Sequence, residues 1–581
     1  MKLKAITKKG ALALLPLMLT VGVAVGVAGG LIAGRYMAVS PMSDKESKLH
    51  TILGMINEQY VDRIDVDSLL ETIFPDLLSS LDPHSAYIPA SDLTAVNDEL
   101  EGSFSGVGIV FQIVGDTVQV IEVVPDGPAE KVGMLPGDRI LRADTVELVG
   151  PDVHNDKVFS TLRGKKNTKI NLEIKRSNSL TPFELEVIRG DIPVKSVDSH
   201  YMLSENTGYV RVNKFARNTY SEFINALDDL SAQGADNFVV DLRNNQGGFM
   251  DQAIYMANEF LPPARMIVYT RGRNAENETV AISDGRGSYQ NAPLTVLTNE
   301  FSASASEIFS GAMQDNDRGL VIGRRTFGKG LVQNQTELPD SSALRLTVAR
   351  YYTPSGRSIQ KDYVLGRSGK YEMEIVDRYN NGEIYSADSI RKDPTKVFKT
   401  VNGRTVYGGG GITPDIFVAE DTTGYTSYYA QVMNKGLIQK YAYEVADKYR
   451  PVLSQSRSLK KLLKSVPRDN TLLDNFVNFA ARNGVPARWY YINQSRRLIL
   501  NNLKAFIARD ILGYEAFIEV LNEEDVVIKE ALRAIEAGES PINIDNKEVE
   551  VTEHSDLLSQ KESEDRRYKE TVDCYTFRNM A

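Results

Sequence analysis

Phe301-Ser302-Ala303-Ser304-Ala305-Ser306-Glu307-Ile308 is the stretch on which the reading of this chain turns. Just ahead of it, Leu294-Thr295-Val296-Leu297 is mainly apolar and reads as a buried strand. After Asn299 the small residues from Ser302 to Ser306 can pack tightly at a turn. From Ala305 to Met313 the pattern becomes helical, with Ile308, Phe309 and Ala312 on one face. A serine in this turn therefore stands where a strand hands over to a helix. The first turn of a helix offers unpaired N–H groups and the positive end of the dipole, a place suited to stabilising an oxyanion beside a nucleophile.

A hydroxyl nucleophile needs a base. The chain has five histidines, His50, His84, His154, His200 and His554; none lies in this stretch, and no G-x-S-x-G elbow occurs. Lysine is the alternative. A second short strand, Leu320-Val321-Ile322-Gly323, leads into Thr326-Phe327-Gly328-Lys329-Gly330, where flanking glycines let the backbone turn tightly and aim the Lys329 side chain. A free lysine titrates near about 10.4, so a lysine base must be desolvated, at about 1.4 kcal/mol for each pH unit. Taken singly, a serine-rich turn is most often a helix cap and a Gly-Lys-Gly a surface loop. His84, in Asp82-Pro83-His84-Ser85, reads as a turn brace rather than a catalyst.

Ser-Ala-Ser-Ala-Ser-Glu-Ile followed by Thr-Phe-Gly-Lys-Gly resembles the active-site signature of the carboxy-terminal processing peptidases, also called tail-specific proteases. In that family the middle serine is the nucleophile and a lysine 25 positions later is the general base, a spacing that Ser304 and Lys329 match. The resemblance implies that Gln333, four residues past the lysine, orients it. Asn237-Phe238-Val239-Val240-Asp241-Leu242 reads as a buried strand that ends in Arg243-Asn244-Asn245-Gln246-Gly247-Gly248 and is followed by a helix, Met250 to Phe260. This segment resembles a second signature turn of the family, in which a glycine N–H joins the N–H after the nucleophile as the oxyanion hole. The implied donors are Ala305 with Gly247 or Gly248. Strand–turn–helix alternation from Asp191 to about Glu420 implies an α/β core with parallel strands. Tyr351-Tyr352-Thr353-Pro354-Ser355-Gly356-Arg357-Ser358-Ile359-Gln360 also resembles the family, but Gly411-Ile412-Thr413-Pro414-Asp415 arrives only after a long polar segment, Lys361 to Tyr407. That departure reads as an insertion, a lid or a partner surface.

Between Gly102 and about Val187 the chain is strand-rich. Ser105-Gly106-Val107-Gly108-Ile109-Val110-Phe111, Val123-Val124-Pro125-Asp126-Gly127-Pro128-Ala129 and Gly133-Met134-Leu135-Pro136-Gly137-Asp138-Arg139-Ile140 resemble, in this order, a PDZ domain of the bacterial, permuted kind. Gly106, Val107, Gly108 and Ile109 would form its carboxylate-binding loop, where successive N–H groups meet a terminal carboxylate and the adjoining strand edge pairs with an extended peptide.

The N-terminus carries Lys2, Lys4, Lys8 and Lys9, then an uncharged, mainly apolar run from Gly10 to Gly34 that is long enough to span a bilayer. It reads as an uncleaved signal anchor, with a cleaved signal peptide as the alternative, and predicts export of the rest of the chain. The one cysteine, Cys574, excludes an internal disulfide and any multi-cysteine metal site. A net charge of −10 argues against a general nucleic-acid binder. There is no H-E-x-x-H and no G-x-x-x-x-G-K-[ST], so neither metal nor cofactor is expected.

The expected architecture is multidomain α/β. Residues 1–42 are the anchor or signal peptide, 43–101 a helical region, 102–188 the PDZ domain, 189–420 the peptidase core with the 361–407 insertion, 421–545 a helical C-terminal domain and 546–581 a polar, disordered tail. The resemblance, covering roughly Ser43 to Glu420, implies an envelope-anchored serine endopeptidase, membrane-held, with its peptidase on the periplasmic side of the inner membrane. It would act on protein substrates with exposed C-terminal tails, with an adaptor or activator protein and a homodimer as further expected partners. The rival reading is a catalytically silent or partner-activated PDZ scaffold or chaperone.

Overall fold

The structure, a computed structural model, describes residues 44–539 apart from 114–115, 177–178 and 367. The basic and apolar N-terminal run, the 546–581 tail and Cys574 lie outside the described residues. Among the described residues no helix is long and apolar enough to cross a membrane.

The described residues fall into two compact units, divided between Leu77 and Leu78. The described part of the first consists of helix Asp44–Gln59 and most of helix Val66–Ser79. At the start of the second of these, Asp65 accepts bonds from the Asp67 N–H and the Ser68 hydroxyl.

The second unit is organised by a six-stranded sheet in the order Val197–Met202, Thr207–Val212, Asn237–Asp241, Leu294–Thr298, Leu320–Gly323, Ile416–Phe417. The first pair is antiparallel and the remaining pairs are parallel, as the strand–turn–helix alternation implies. Both faces are covered, which is why Asn237–Asp241, Leu294–Thr298 and Leu320–Gly323 read as mainly apolar runs rather than alternating ones. Val210, Val240, Val296 and Val321 lie in one core with Phe223 and Leu227 of helix Thr219–Ala232, Met256 of helix Met250–Phe260, and Ile308, Phe309 and Ala312 of helix Ala305–Asp315. On the other face Tyr209, Val239, Leu297 and Ile322 pack with Ile518 of helix Tyr514–Asn522 and with Val527, Ile528, Ala531 and Ala534 of helix Val526–Glu536. The last two helices of the described chain thus complete the layered core.

A second sheet runs Ala86–Ile88, Ala343–Tyr352, Met266–Gly272, Val280–Ile282, with Leu331–Glu337 also paired to Ala343–Tyr352. Residues 109–188 form a separate antiparallel sheet, ordered Ile109–Ile113, Val118–Val123, Arg139–Ala143, Lys169–Lys175, Phe183–Ile188, with helix Asn155–Leu162 over its own core of Val118, Val120, Ile140, Val158, Leu172 and Val187. Ser103–Gly106 pairs antiparallel with Gly190–Pro193, so the chain enters and leaves this module side by side.

After Glu420 the fold is helical, with a core that includes Val432, Leu453, Leu473, Phe476, Ile499 and Leu503. Its last stretch is divided into helices Trp489–Leu512, Tyr514–Asn522 and Val526–Glu536, because Gly513 takes φ +94° and Asp525 caps a new start. The 361–407 segment holds helix Ser368–Asn380 and a hairpin of Val397–Lys399 with Thr405–Tyr407.

Candidate active site

Ser304 stands at the junction predicted for it, one residue before helix Ala305–Asp315. Its backbone has φ +56° and ψ −114°. A β-carbon disfavours that conformation by about 1–3 kcal/mol, so the surroundings must hold it in place. They do so from both sides. Ala303 N–H donates to the Asn245 carbonyl at 2.9 Å, and the Ser306 hydroxyl donates to the same carbonyl at 2.9 Å. The Ser304 N–H donates to the Glu307 carboxylate at 2.9 Å. The turn is thereby stitched to Arg243–Gly248, at the end of the neighbouring strand.

Lys329 lies in the loop between strands Leu320–Gly323 and Leu331–Glu337. The Glu307 carboxylate organises this loop as well. It accepts the Gly328 and Lys329 N–H groups, each at 2.8 Å, and the Thr326 hydroxyl at 2.5 Å. Glu307 is fully buried, and burial pushes its carboxyl up to about 7 against the pull of these four donors. The Tyr351 hydroxyl lies between the two segments, donating to the Lys329 carbonyl and at 3.0 Å to the Ser304 carbonyl. Serine turn and lysine loop are therefore joined through one carboxylate and one phenol. Burial lowers the Lys329 ammonium below the ordinary lysine range; Arg345 adds to this, while Glu307 and Asp82 oppose it.

Asp82-Pro83-His84-Ser85 packs near the lysine. Asp82 accepts the His84 and Ser85 N–H groups at 2.8 and 2.9 Å and the Thr347 hydroxyl at 3.1 Å, so the side chain that braces the turn is Asp82 rather than His84. His84 Nε2 meets the Tyr371 hydroxyl at 2.9 Å. Burial first, and the nearby Lys329 second, bring the His84 imidazole down to about 4, so it is neutral at pH 7. Gln333 donates from Nε2 to the Leu331 carbonyl at 3.3 Å and to the Thr347 hydroxyl at 3.4 Å.

Two glycines face the serine turn. A β-carbon on Gly247, at φ +98°, would stand 2.7 Å from Ser304 Cβ and 2.9 Å from the Ala305 nitrogen. Gly247 is buried and its N–H donates to Asn245 Oδ1 at 2.8 Å. Gly248 is exposed, at φ +144°, and its N–H has no hydrogen-bond partner among the described residues; neither has that of Ala305. In the 109–188 module, Val107 and Gly108 give their carbonyl oxygens to Ala129 and Val124 at 2.9 and 3.0 Å, while their own N–H groups have no partner among the described residues. Gly106 ends one strand and Ile109 begins the next.

The 361–407 segment lies against the lysine loop. Arg378 donates to the Thr326 carbonyl at 3.0 Å and to the Arg325 carbonyl at 2.5 Å, and Glu383 pairs with Arg325 at 2.6 Å and Arg378 at 2.9 Å. Lys361 N–H donates to the Gly328 carbonyl at 2.9 Å, and its ammonium sits 3.8 Å from the Phe327 ring centroid. These buried groups make the segment part of the loop's support. No composition signal marked Glu307, Tyr351 or Arg378 for such roles. A glutamate three residues after a capping serine is the one local hint, since that spacing lets it reach back to the serine N–H. Among the described residues no group of three or more His, Cys, Asp or Glu is placed to hold a metal.

Comparison with known proteins identifies two of the domains. Residues 206–366 match the model of peptidase family S41, residues 105–187 that of the PDZ domain and residues 428–513 that of a family of unknown function. The carboxy-terminal-processing protease of Bartonella bacilliformis is 37% identical over 314 residues, 53% of this chain and 71% of that protein. The carboxyl-terminal-processing protease of Synechocystis is 35% identical over 53% of this chain and 72% of its own length. The carboxy-terminal processing protease CtpA of Bacillus subtilis is 32% identical over 56% and 68%. With a relative of this identity matched over most of its length, and with both domain models in sequence order, the chain belongs to the carboxy-terminal processing serine proteases of peptidase family S41.

Proposed function

We propose that the chain is an endopeptidase working with a Ser304–Lys329 dyad. The observation that carries this reading is the buried Glu307 carboxylate, which accepts the backbone N–H of both Ser304 and Lys329 and so holds nucleophile and base in one frame. Neutral Lys329 takes the Ser304 hydroxyl proton as Oγ bonds to the peptide carbonyl carbon, and the carbonyl π electrons move onto oxygen. The free N–H groups of Ala305 and Gly248 are the favoured oxyanion donors; Gly247, whose N–H is already given to Asn245, then serves the close approach to Ser304. Collapse expels the amine, which takes the proton from the Lys329 ammonium; water then attacks the acyl ester with Lys329 again as base, and as the C–Oγ bond breaks Lys329 returns that proton to Ser304 Oγ and the acid product leaves. Gln333 is assigned to orient the lysine.

The unpartnered N–H groups of Val107 and Gly108, between Gly106 and Ile109, would receive the terminal carboxylate of a substrate tail, and the free edge of Ile109–Ile113 would pair with the tail itself. The basic and apolar N-terminal run would anchor the chain in the inner membrane, with the peptidase on the periplasmic side acting on envelope proteins. Exposed Leu49, Met55 and Leu77 would suit a second copy of the chain, and an adaptor protein is a further proposed partner.

The test is cleavage of an unfolded polypeptide ending in small apolar residues by the full chain, beside its Ser304→Ala and Lys329→Ala variants. Both variants are expected to lose turnover while keeping the circular dichroism of the parent. Near-normal turnover by either sinks the dyad.

A further inference from the structure

The helical C-terminal region carries no catalytic pattern in its sequence, yet it reaches the proposed oxyanion turn through one side chain. Asp525 precedes helix Val526–Glu536, and its Oδ1 caps that helix by accepting the Val527 and Ile528 N–H groups at 2.8 and 3.1 Å. Its other oxygen, Oδ2, accepts from Arg243 Nη1 at 2.7 Å. Arg243 is the first residue of the turn that ends in Gly247-Gly248.

The rest of the Arg243 guanidinium is given to Asp241: Nη2 to Oδ2 at 2.6 Å, and Nε to Oδ1 and Oδ2 at 3.0 and 3.1 Å. Asp241 Oδ1 accepts the Arg243 N–H at 2.9 Å, and Oδ2 accepts the Tyr209 hydroxyl at 2.7 Å. The carboxylates of Asp241 and Asp525 thus grip the arginine from two sides, in a mostly buried place where a planar cation with one face unpaired is costly. From Arg243 the turn continues through Asn244, at φ +61° and locked by reciprocal 2.9 Å bonds with Asn299, to Asn245, whose carbonyl holds the serine turn. A path of one ion pair and a short, hydrogen-bonded run of backbone therefore leads from Asp525 to the glycines beside Ser304.

We propose that Asp525 is a positioning residue for the oxyanion turn, acting through Arg243. This rests on the reading of that turn as an oxyanion donor. The C-terminal helical region then has a part in the chemistry besides covering the sheet, and the transition state, rather than substrate binding, feels the link.

Asp525→Asn in the full chain separates this role from a structural one. Asparagine keeps an oxygen to cap the helix but cannot give Arg243 an anionic partner. With the unfolded tail substrate, Asp525→Asn is expected to lower kcat about tenfold, part of the loss from deleting one oxyanion donor outright, with KM within about twofold and a modestly lower melting temperature, since Arg243 keeps Asp241 as its anionic partner. Asp525→Ala, which removes the cap as well, is expected to show the same loss in kcat and a melting temperature lower still. Wild-type kcat in Asp525→Asn, in an assay where Ser304→Ala is inactive, would overturn the positioning role alone. Wild-type kcat in Ser304→Ala would overturn the serine reading and this role with it.

Discussion

The Glu307 carboxylate accepts the backbone N–H of Lys329, 22 residues further along the chain, at 2.8 Å, and it is the same carboxylate that holds the Ser304 N–H at 2.9 Å. Four donors converge on it in a site closed to water. Ser304 adopts its strained backbone because this group and the Asn245 carbonyl together fix the turn.

Glu307→Gln replaces one acceptor oxygen with an NH₂ that faces N–H donors. Each buried donor left unpaired costs about 1–3 kcal/mol. The variant is expected to lose at least about tenfold in kcat and to melt at a lower temperature. Thermal unfolding and tail-substrate cleavage measured on one preparation check this; wild-type values in both would mean that other bonds hold the two loops together.

The site carries two pH effects of opposite sign. Burial, then Arg345, lowers the Lys329 ammonium below the lysine range. The folded state therefore binds fewer protons than the unfolded one between the depressed value and the ordinary one, and this group's contribution to stability rises with pH across that window. Burial raises Glu307 to about 7 from 4.5, so the folded state binds more protons there. Its contribution is fully present below about 4.5 and is lost as pH rises through about 7. Stability measured between pH 4.5 and 7 is expected to decline less in Glu307→Gln than in the wild type.

The rate tracks the lysine. kcat/KM is expected to rise with pH as Lys329 loses its proton, with the limb below the usual lysine range. Arg345→Met removes a neighbouring cation and should move that limb to higher pH. A limb that stays in place would show that burial alone sets the base.

Gly247→Ala places a methyl group 2.7 Å from Ser304 Cβ and 2.8 Å from the Ala303 carbonyl, at a backbone φ of +98°. Cleavage is expected to fall at least about a hundredfold, as for loss of an oxyanion donor. Gly248→Ala would meet the Phe215 carbonyl at 2.1 Å and is expected to destabilise the turn more strongly. Kinetics with differential scanning calorimetry separates the two: the first variant is chiefly slow, the second chiefly unstable.

Arg378→Met leaves the Arg325 and Thr326 carbonyl oxygens without their donor and takes one partner from the buried Glu383. Breaking a buried ion pair from one side costs about 3–5 kcal/mol. Limited proteolysis is expected to find new cleavage around residues 325–330 and activity to fall with it. An unchanged digest would return the 361–407 segment to the reading of a lid or partner surface.

What the linear chain determined was local. Continuous apolar runs at Asn237–Asp241 and Leu294–Thr298 signal strands buried on both faces, and the helix Met250–Phe260 falls where its apolar spacing puts it. The serine turn, the Lys329 loop and the glycine-rich entry to the 109–188 module are equally legible, because small residues and glycine mark the places where backbone must turn or approach closely. Tertiary structure alone decided the contacts between distant segments: Glu307 with Lys329, Tyr351 between the two loops, Arg378 behind one of them, and Asp525 on Arg243 across 282 residues. It also decided which glycine N–H is already taken, since Gly247 gives its own to the Asn245 side chain. The physical reason is the same in each case. Strand and helix periodicity is written into neighbours two to four residues apart, whereas a buried carboxylate or guanidinium takes whichever donor or acceptor the folded layers bring to it, and sequence spacing carries no record of that choice.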